Sequence, residues 1–319
     1  TTLAGQNTID LVLDNYKKDK DLQHASYSFC VMEAASGKVL KEFNSETALV
    51  PASTLKIVTT GAALGILGKD FTYKTNFYYS LVSDSINGTS TGNLFIKGSG
   101  DPSFNSSYFF ENDSAFLNNL ITKIKAAKNF KKINGNVTID ISYFDNTIPS
   151  TWIWSDIGNY FGAGATSLSY KDNKFSLYYN SLSAGTEAEL KKLKPDYFAK
   201  KITIDSKVYA GGSEDNAFVF GHPNTFNKKV SGTIPPNKSN YEVEAQMPDP
   251  AQFFAEELLS GLKKNNLANS NSKANVSSDK TSRSKDELIY TYTSPKLEKI
   301  VYYTNTKSDN HYAESLLNT

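Results

Sequence analysis

What this chain of 319 residues has little of sets its first limits. It has one cysteine, Cys30, inside the strand-like run ASYSFCVMEA. A lone thiol excludes an internal disulfide and any CxxC metal site, and its apolar surroundings point to a small buried residue rather than a catalytic thiol. Only three histidines occur, His24, His222 and His311. None has the spacing of a zinc motif such as HExxH, so no metal and no cofactor are expected, and His311 reads as a helix-surface residue. Charge of one sign is lacking too: 34 Lys and Arg face 33 Asp and Glu, a net of +1, with no basic or acidic block. Nucleic acid and anionic membrane surfaces are therefore poor partners. No apolar run approaches the roughly 18 residues that cross a bilayer, so no transmembrane segment is expected. The chain opens directly on an amphipathic helix pattern, so a signal peptide, had one existed, is already gone.

Aromatic residues, in contrast, are plentiful. With 19 Tyr and 19 Phe, much of the apolar mass favours strands. The length suits two or more domains. Residues 8–19, TIDLVLDNYKKD, read as a surface helix, and SYSFCVMEAASGKVLKEFN as two strands about a Ser36-Gly37 turn. A helix follows in PASTLKIVTTGAALGILG, then strands within 71–100, a helix near 114–128 and a strand in GNVTIDISYF. Short strands continue to about residue 235, and MPDPAQFFAEELLSGLKKNNL is an amphipathic helix. Residues 268–287 are polar and read as an exposed loop or hairpin tip. Asp101 in GSGDP is assigned to a turn.

Within the helix after Pro51, Ser53 and Lys56 stand three residues apart, on one helical face. A serine hydroxyl needs a base within hydrogen-bond reach, and a lysine can serve once burial favours its neutral form. Ser-x-x-Lys also occurs at Ser270-Lys273, Ser277-Lys280 and Ser282-Lys285, all in the polar tract. Context separates Ser53 from these. The residues after it, from Ile57 to Leu67, are apolar or small around nearly the whole circumference, the pattern of a core helix. Gly61 and Gly65 suggest close packing on a neighbour. The plainer reading, a serine cap with a lysine snorkelling to solvent, has equal weight on this stretch alone.

A second motif breaks the tie. In TNTKSDNHYAESLL, Ser308-Asp309-Asn310 opens another apolar helix, whereas Ser85-Ile86-Asn87 and Ser103-Phe104-Asn105 lie in turn-like contexts. Ser-x-x-Lys and Ser-Asp-Asn are two of the three elements of the active-serine penicillin-recognising enzymes. In that chemistry Ser53 attacks a carbonyl, Lys56 takes its proton, Ser308 relays it to the leaving group, and Asn310 hydrogen-bonds the substrate amide.

The stretch from Ser53 to Ser308 is far longer than a compact β-lactamase places between these elements. That spacing resembles the S13 peptidase family, the class C low-molecular-mass penicillin-binding proteins, which are D-alanyl-D-alanine carboxypeptidases and endopeptidases. PASTLK, IKGSGDPSF, WIWSDIGNYFGAGATSLS, VSGTIPP, MPDPAQFFAEELL and TNTKSDNHYAESLL follow the order of that family over essentially the whole chain. The resemblance implies an α+β fold: a transpeptidase/β-lactamase-like domain of helices on an antiparallel sheet, carrying a large, mostly-β insertion. Its parts would be residues 1–72 with 263–319, the insertion 73–262, and a smaller nested domain at about 168–232. It also implies a periplasmic or extracytoplasmic bacterial location, peptidoglycan peptides as substrate, and acylation by β-lactam antibiotics. By the same resemblance Asp156 and Phe161 line the pocket for a stem-peptide side chain, Asp156 pairing with a diamino-acid ammonium; a capping Asp and a packing Phe account for them equally.

One element is missing. No Lys-[Thr/Ser]-Gly occurs, and the chain stops at ESLLNT, which reads as truncation within a helix. In the family that strand binds the substrate carboxylate and completes the oxyanion hole, so the chain as given would lack half of that site. Two other readings stand beside the DD-peptidase: a non-catalytic peptidoglycan-binding relative that keeps the fold, and a β-lactamase.

Overall fold

The computed structural model describes residues 2–84, 89–110, 113–145, 148–279 and 286–319. They form two compact units, residues 1–55 and 56–319. The first contains helix α1 (Thr2–Lys18), which starts earlier than its apolar pattern indicates, and the antiparallel pair β1 (Phe29–Met32) and β2 (Val39–Phe43). Gly37 turns the hairpin at φ +70°, a left-handed conformation that glycine adopts without strain. The rings of Tyr27 and Phe29 stack on Phe43, with centroids 5.2 and 6.3 Å away. Cys30 is exposed, against expectation. Alternation along β1 places it with Met32 on the exposed face, opposite Phe29 and Val31. This unit ends in a short 3₁₀ turn, Ala52–Thr54.

Helix α2 (Leu55–Leu67) leads into the second unit. There follow β3 (Lys74–Asp84), β4 (Thr89–Lys97), α3 (Asp113–Ala126), β5 (Val137–Asp140), α4 (Trp154–Ile157), β6 (Lys174–Asn180) and β7 (Glu189–Lys194). The chain continues through β8 (Thr203–Ala210), β9 (Asn216–Phe220), β10 (Asn227–Ile234), β11 (Tyr241–Gln246), α5 (Pro250–Lys264), β12 (Ala274–Ser277) and β13 (Glu287–Thr293). It closes with α6 (Leu297–Lys307) and α7 (Asn310–Leu317). The described strands of this unit make a five-stranded sheet of order β12-β5-β4-β3-β13 and two three-stranded sheets, β11-β6-β7 and β8-β10-β9. The mixture of helices and mainly antiparallel strands is the expected α+β class.

The larger core lies between the sheets and α3 and α5. Phe104 is its centre, meeting Phe116, Phe254 and Tyr292 edge-to-face at 5.0 Å each. α5 begins as its sequence suggests, with Asp249 Oδ1 accepting from Gln252 N at 3.0 Å and Pro250 in the first turn. At Gly261 a Cβ would lie 2.5 Å from Ile121 Cδ1, so glycine lets α5 approach α3. A smaller core joins Ala63, Leu64 and Leu67 of α2 to Ile300, Val301, Tyr303, Tyr312 and Leu316 of α6 and α7.

Several expectations change. α2 buries only Thr60 and Ala63, while Ile57, Val58 and Ile66 are exposed, and a Cβ at Gly61 or Gly65 meets nothing within 4 Å. An all-apolar circumference marks a helix that can be buried all round; in this chain one face is packed. The polar tract also contributes structure, because β12 pairs in parallel with β5. β12 and β13, on the C-terminal side of residue 263, thus hydrogen-bond into the sheet of strands from 74–97. Of the Ser-x-x-Lys copies in the tract, Lys280, Ser282 and Lys285 lie outside the described residues, as do Ser85, Ile86 and Asn87. Ser103, Phe104 and Asn105 are buried rather than solvated.

Asp101 does make a turn, its Oδ1 accepting from Ser103 N and Oγ at 2.8 and 2.6 Å, but it is buried and Oδ2 has no hydrogen-bond partner among the described residues. Burial pushes its carboxyl up from 3.8 to about 6, against the pull of the Ser103 bonds. A carboxyl raised by folding contributes its stabilisation below the unfolded value, and loses it as pH rises through about 6. Asp101→Asn, a neutral isostere, is therefore expected to gain stability relative to wild type across that window, by at most about 3 kcal/mol. Urea unfolding of both proteins at the two ends of the window measures this; parallel pH dependence contradicts it.

Candidate active site

Ser53 lies in the 3₁₀ turn that closes the first unit and is exposed. The residue before it, Ala52, has φ +46°. A left-handed conformation costs a non-glycine residue roughly 1–2 kcal/mol, so backbone strain is held next to the candidate nucleophile. Lys56 follows in the first turn of α2. Its ammonium donates to Ser308 Oγ at 3.5 Å, bringing together residues from the two motifs. Burial lowers the lysine below its ordinary 10.5, while the carboxylates of Asp309 and Glu314 pull the other way.

Ser308 is the first of two residues between α6 and α7, and it adopts φ +55°. That left-handed cap breaks the helix and turns the chain so that Asp309 can cap the next one, its Oδ1 accepting from Tyr312 N at 3.2 Å. Asn310, the first residue of α7, donates from Nδ2 to the Phe161 carbonyl oxygen at 2.8 Å. The structure thus brings Lys56, Ser308, Asn310 and Phe161 together, although Phe161 enters through its backbone. Asp156, in α4, accepts from Ser155 Oγ at 3.2 Å.

Sequence reasoning missed the support beneath this motif. Lys171, Asp172 and Asn173 are three consecutive non-glycine residues with φ +53°, +56° and +53°. The turn presents Asp172 to α7, where Oδ1 accepts from Tyr312 Oη at 3.1 Å, and Oδ2 accepts from Ser107 Oγ at 3.1 Å. Asn173 Oδ1 accepts from Tyr170 N at 3.0 Å, which points Nδ2 at His311 Nε2, 3.2 Å away. Ser169 Oγ lies 2.8 Å from the same ring nitrogen. His311 is therefore buried, 1% exposed, and not the surface residue expected. Burial lowers its affinity for a second proton, against the raising influence of Asp309 and Asp172. The available signal was its place one residue after Asn310 on a helix whose apolar face includes Tyr312.

Lys174 completes the support, 3.6 Å from Asp309 Oδ2 and over the Tyr160 ring at 5.0 Å. Burial opposes its charge, but Asp309, Glu244 and Asp172 outweigh that and hold the ammonium above its ordinary value. Among the described residues no group of three or more His, Cys, Asp or Glu is arranged to hold a metal ion, and no helix is long and apolar enough to cross a membrane.

A sequence profile of the D-Ala-D-Ala carboxypeptidase 3 (S13) family matches residues 10–319. This chain belongs to that family. Among the relatives of this S13 chain, the penicillin-sensitive carboxypeptidase A of Dictyostelium discoideum is 25% identical over 288 residues, covering 86% of this chain and 53% of that one. The D-alanyl-D-alanine carboxypeptidase DacB of Haemophilus influenzae is 26% identical over 219 residues, 67% of this chain and 41% of that. The chain spans about half the length of the curated relatives it matches. The crystal structure of penicillin binding protein 4 (dacB) from Haemophilus influenzae shares the fold, with a TM-score of 0.66 at 22% identity over 88% of this chain and 59% of that one.

The Lys174–Asp309 pair has side chains 15% and 8% exposed, so removing one partner strands the other charge away from water. Lys174→Met is expected to destabilise the protein by about 3 kcal/mol, with much of the loss restored when Asp309→Asn is added. Chemical denaturation of the two single variants and the double variant tests the coupling; strict additivity contradicts it.

Proposed function

We propose that the protein is a serine-type D-Ala-D-Ala carboxypeptidase/endopeptidase that acts on peptidoglycan stem peptides through an acyl-enzyme on Ser53. The observation that carries this reading is the Lys56 ammonium 3.5 Å from the Ser308 hydroxyl, with Asn310 two residues further on. These are the residue types and order that acyl transfer by an active serine requires.

In the forward step, neutral Lys56 removes the proton of Ser53 Oγ as that oxygen bonds to the D-Ala carbonyl carbon. Ser308 passes the proton to the departing amine as the C–N bond breaks. Partial desolvation of Lys56 favours the neutral form that the first transfer needs. Water then attacks the ester by the same route in reverse, and Ser53 regains its proton. Asn310 orients the substrate amide, and the Trp154–Phe161 segment lies on the stem-peptide side, where Asp156 would meet a diamino-acid ammonium. No metal or cofactor enters the scheme.

The reading extends to β-lactam antibiotics as acylating inhibitors. The Haemophilus influenzae protein has been crystallised in complex with a β-lactam, which supports this through the shared fold. Action on peptidoglycan places the protein in the periplasm or elsewhere outside the cytoplasm of a bacterium. Residues 1–72 with 263–319 would form the transpeptidase-like domain around an insertion at 73–262. The separate β8-β10-β9 sheet supports a nested domain at about 168–232.

A fluorescent penicillin is expected to label the full-length protein covalently at Ser53, and Ser53→Ala is expected to abolish the label. Absence of the adduct would favour the non-catalytic relative, and rapid release of hydrolysed penicillin would favour a β-lactamase.

A further inference from the structure

Next to the Lys56–Ser308 contact, the same two helices share another polar contact. Thr60 stands one turn beyond Lys56 on α2 and is 2% exposed. Its hydroxyl donates to the Lys56 carbonyl oxygen at 2.8 Å and accepts from Asn305 Nδ2 at 3.1 Å. Asn305 lies one turn before Ser308 on α6. A hydrogen-bonded relay therefore runs from Asn305 through Thr60 to the backbone of Lys56, and each end lies one turn from a residue of the 3.5 Å contact.

A helical threonine often bonds back to the carbonyl four residues earlier, and that explains the first bond without any further role. It does not explain the second, which crosses between helices inside an apolar seam. The neighbours on that seam are Ala63, Leu64, Ile300 and Val301. Aliphatic contacts are non-directional and resist small slides weakly, whereas a hydrogen bond weakens steeply with distance and angle. The Lys56–Ser308 contact is at the long limit of hydrogen bonding, so a slide of α2 along α6 would break it.

We propose that Asn305 and Thr60 are positioning residues, a bridge that sets the register of α2 against α6 and so holds Lys56 within proton-transfer reach of Ser308. The proposal rests on the DD-peptidase reading of the site. Neither residue touches the reacting atoms. The charged groups that act on Lys56, Asp309 and Glu314, belong to the α7 segment and are left intact when the bridge is cut. Asn305 is exposed, so its truncation removes little buried surface.

The test uses the full-length protein carrying Asn305→Ala, Thr60→Val or Thr60→Ser, with two readouts. One is the pH profile of acylation by a fluorescent penicillin. The other is the pH midpoint at which Lys56 is acetylated in competitive labelling followed by mass spectrometry, which needs no activity. Asn305→Ala and Thr60→Val are expected to slow acylation roughly 10- to 100-fold. They should also move the Lys56 midpoint to higher pH, as the ammonium shifts from Ser308 toward water, while Thr60→Ser keeps wild-type behaviour in both. A folded Asn305→Ala protein with the wild-type acylation rate and Lys56 midpoint would overturn the proposal. If the wild-type protein is not acylated, the DD-peptidase reading fails, and the Lys56 midpoint alone decides the bridge: a shift upholds it and no shift overturns it.

Discussion

The left-handed turn at Lys171–Asn173 is the constraint on which the candidate site depends. Three consecutive L-residues at positive φ are unfavourable, least so for Asp and Asn, and the side chains of Asp172 and Asn173 are bound from α7 while Lys171 pairs with Glu257 of α5. Asp172 receives Tyr312, Asn173 Nδ2 meets His311 Nε2, and Lys174 just beyond them faces Asp309. The strain and the contacts are two sides of one arrangement. Backbone that no strand or helix would adopt aims Asp172 and Asn173 at one short helix, and Lys174, the first residue of β6, meets its capping Asp309. An eight-residue helix has little stability of its own, so these contacts set its position.

That helix in turn positions the second motif. Ser308 and Asn310 flank its capping residue, and a second left-handed residue, Ser308 itself, turns the chain there. On the facing side, α2 is held by a small apolar cluster and by its polar contacts with α6. The two motif helices share the small apolar cluster, and α7 is fastened in addition by charge and hydrogen bonds from the 171–174 segment. Lys56 lies where they meet. Its partial burial and the carboxylates of Asp309 and Glu314 act on its proton in opposite senses, which keeps the ammonium adjustable.

Buried polarity recurs away from this site. Asp101, Ser103, Asn105 and Ser106 are all almost fully enclosed between β4 and α3. The large core closes over them around Phe104, whose ring contacts reach α3, α5 and β13 at once. The loop therefore acts as interior structure, even though its composition is that of a surface turn.

Much of this was legible from residue order. Amphipathic spacing located α3 and α5, alternation located the β1–β2 hairpin, and paired motifs singled out Ser53, Lys56, Ser308 and Asn310 from their copies. Those signals are local, arising from the periods of helix and strand and from the chemistry of adjacent residues. What escaped was decided by partners distant in the chain. Nothing near His311 shows that it is buried against Ser169 and Asn173, well over a hundred residues away, and nothing near Cys30 says which face of its hairpin is covered. The apolar circumference of α2 states a capacity for burial, and only the packing of α6 and α7 selects the face that is used. The sequence by itself determined which side chains make up the two motifs proposed for acyl transfer. The tertiary structure alone brought Lys56 to Ser308, because helix register depends on contacts between segments that no local pattern encodes.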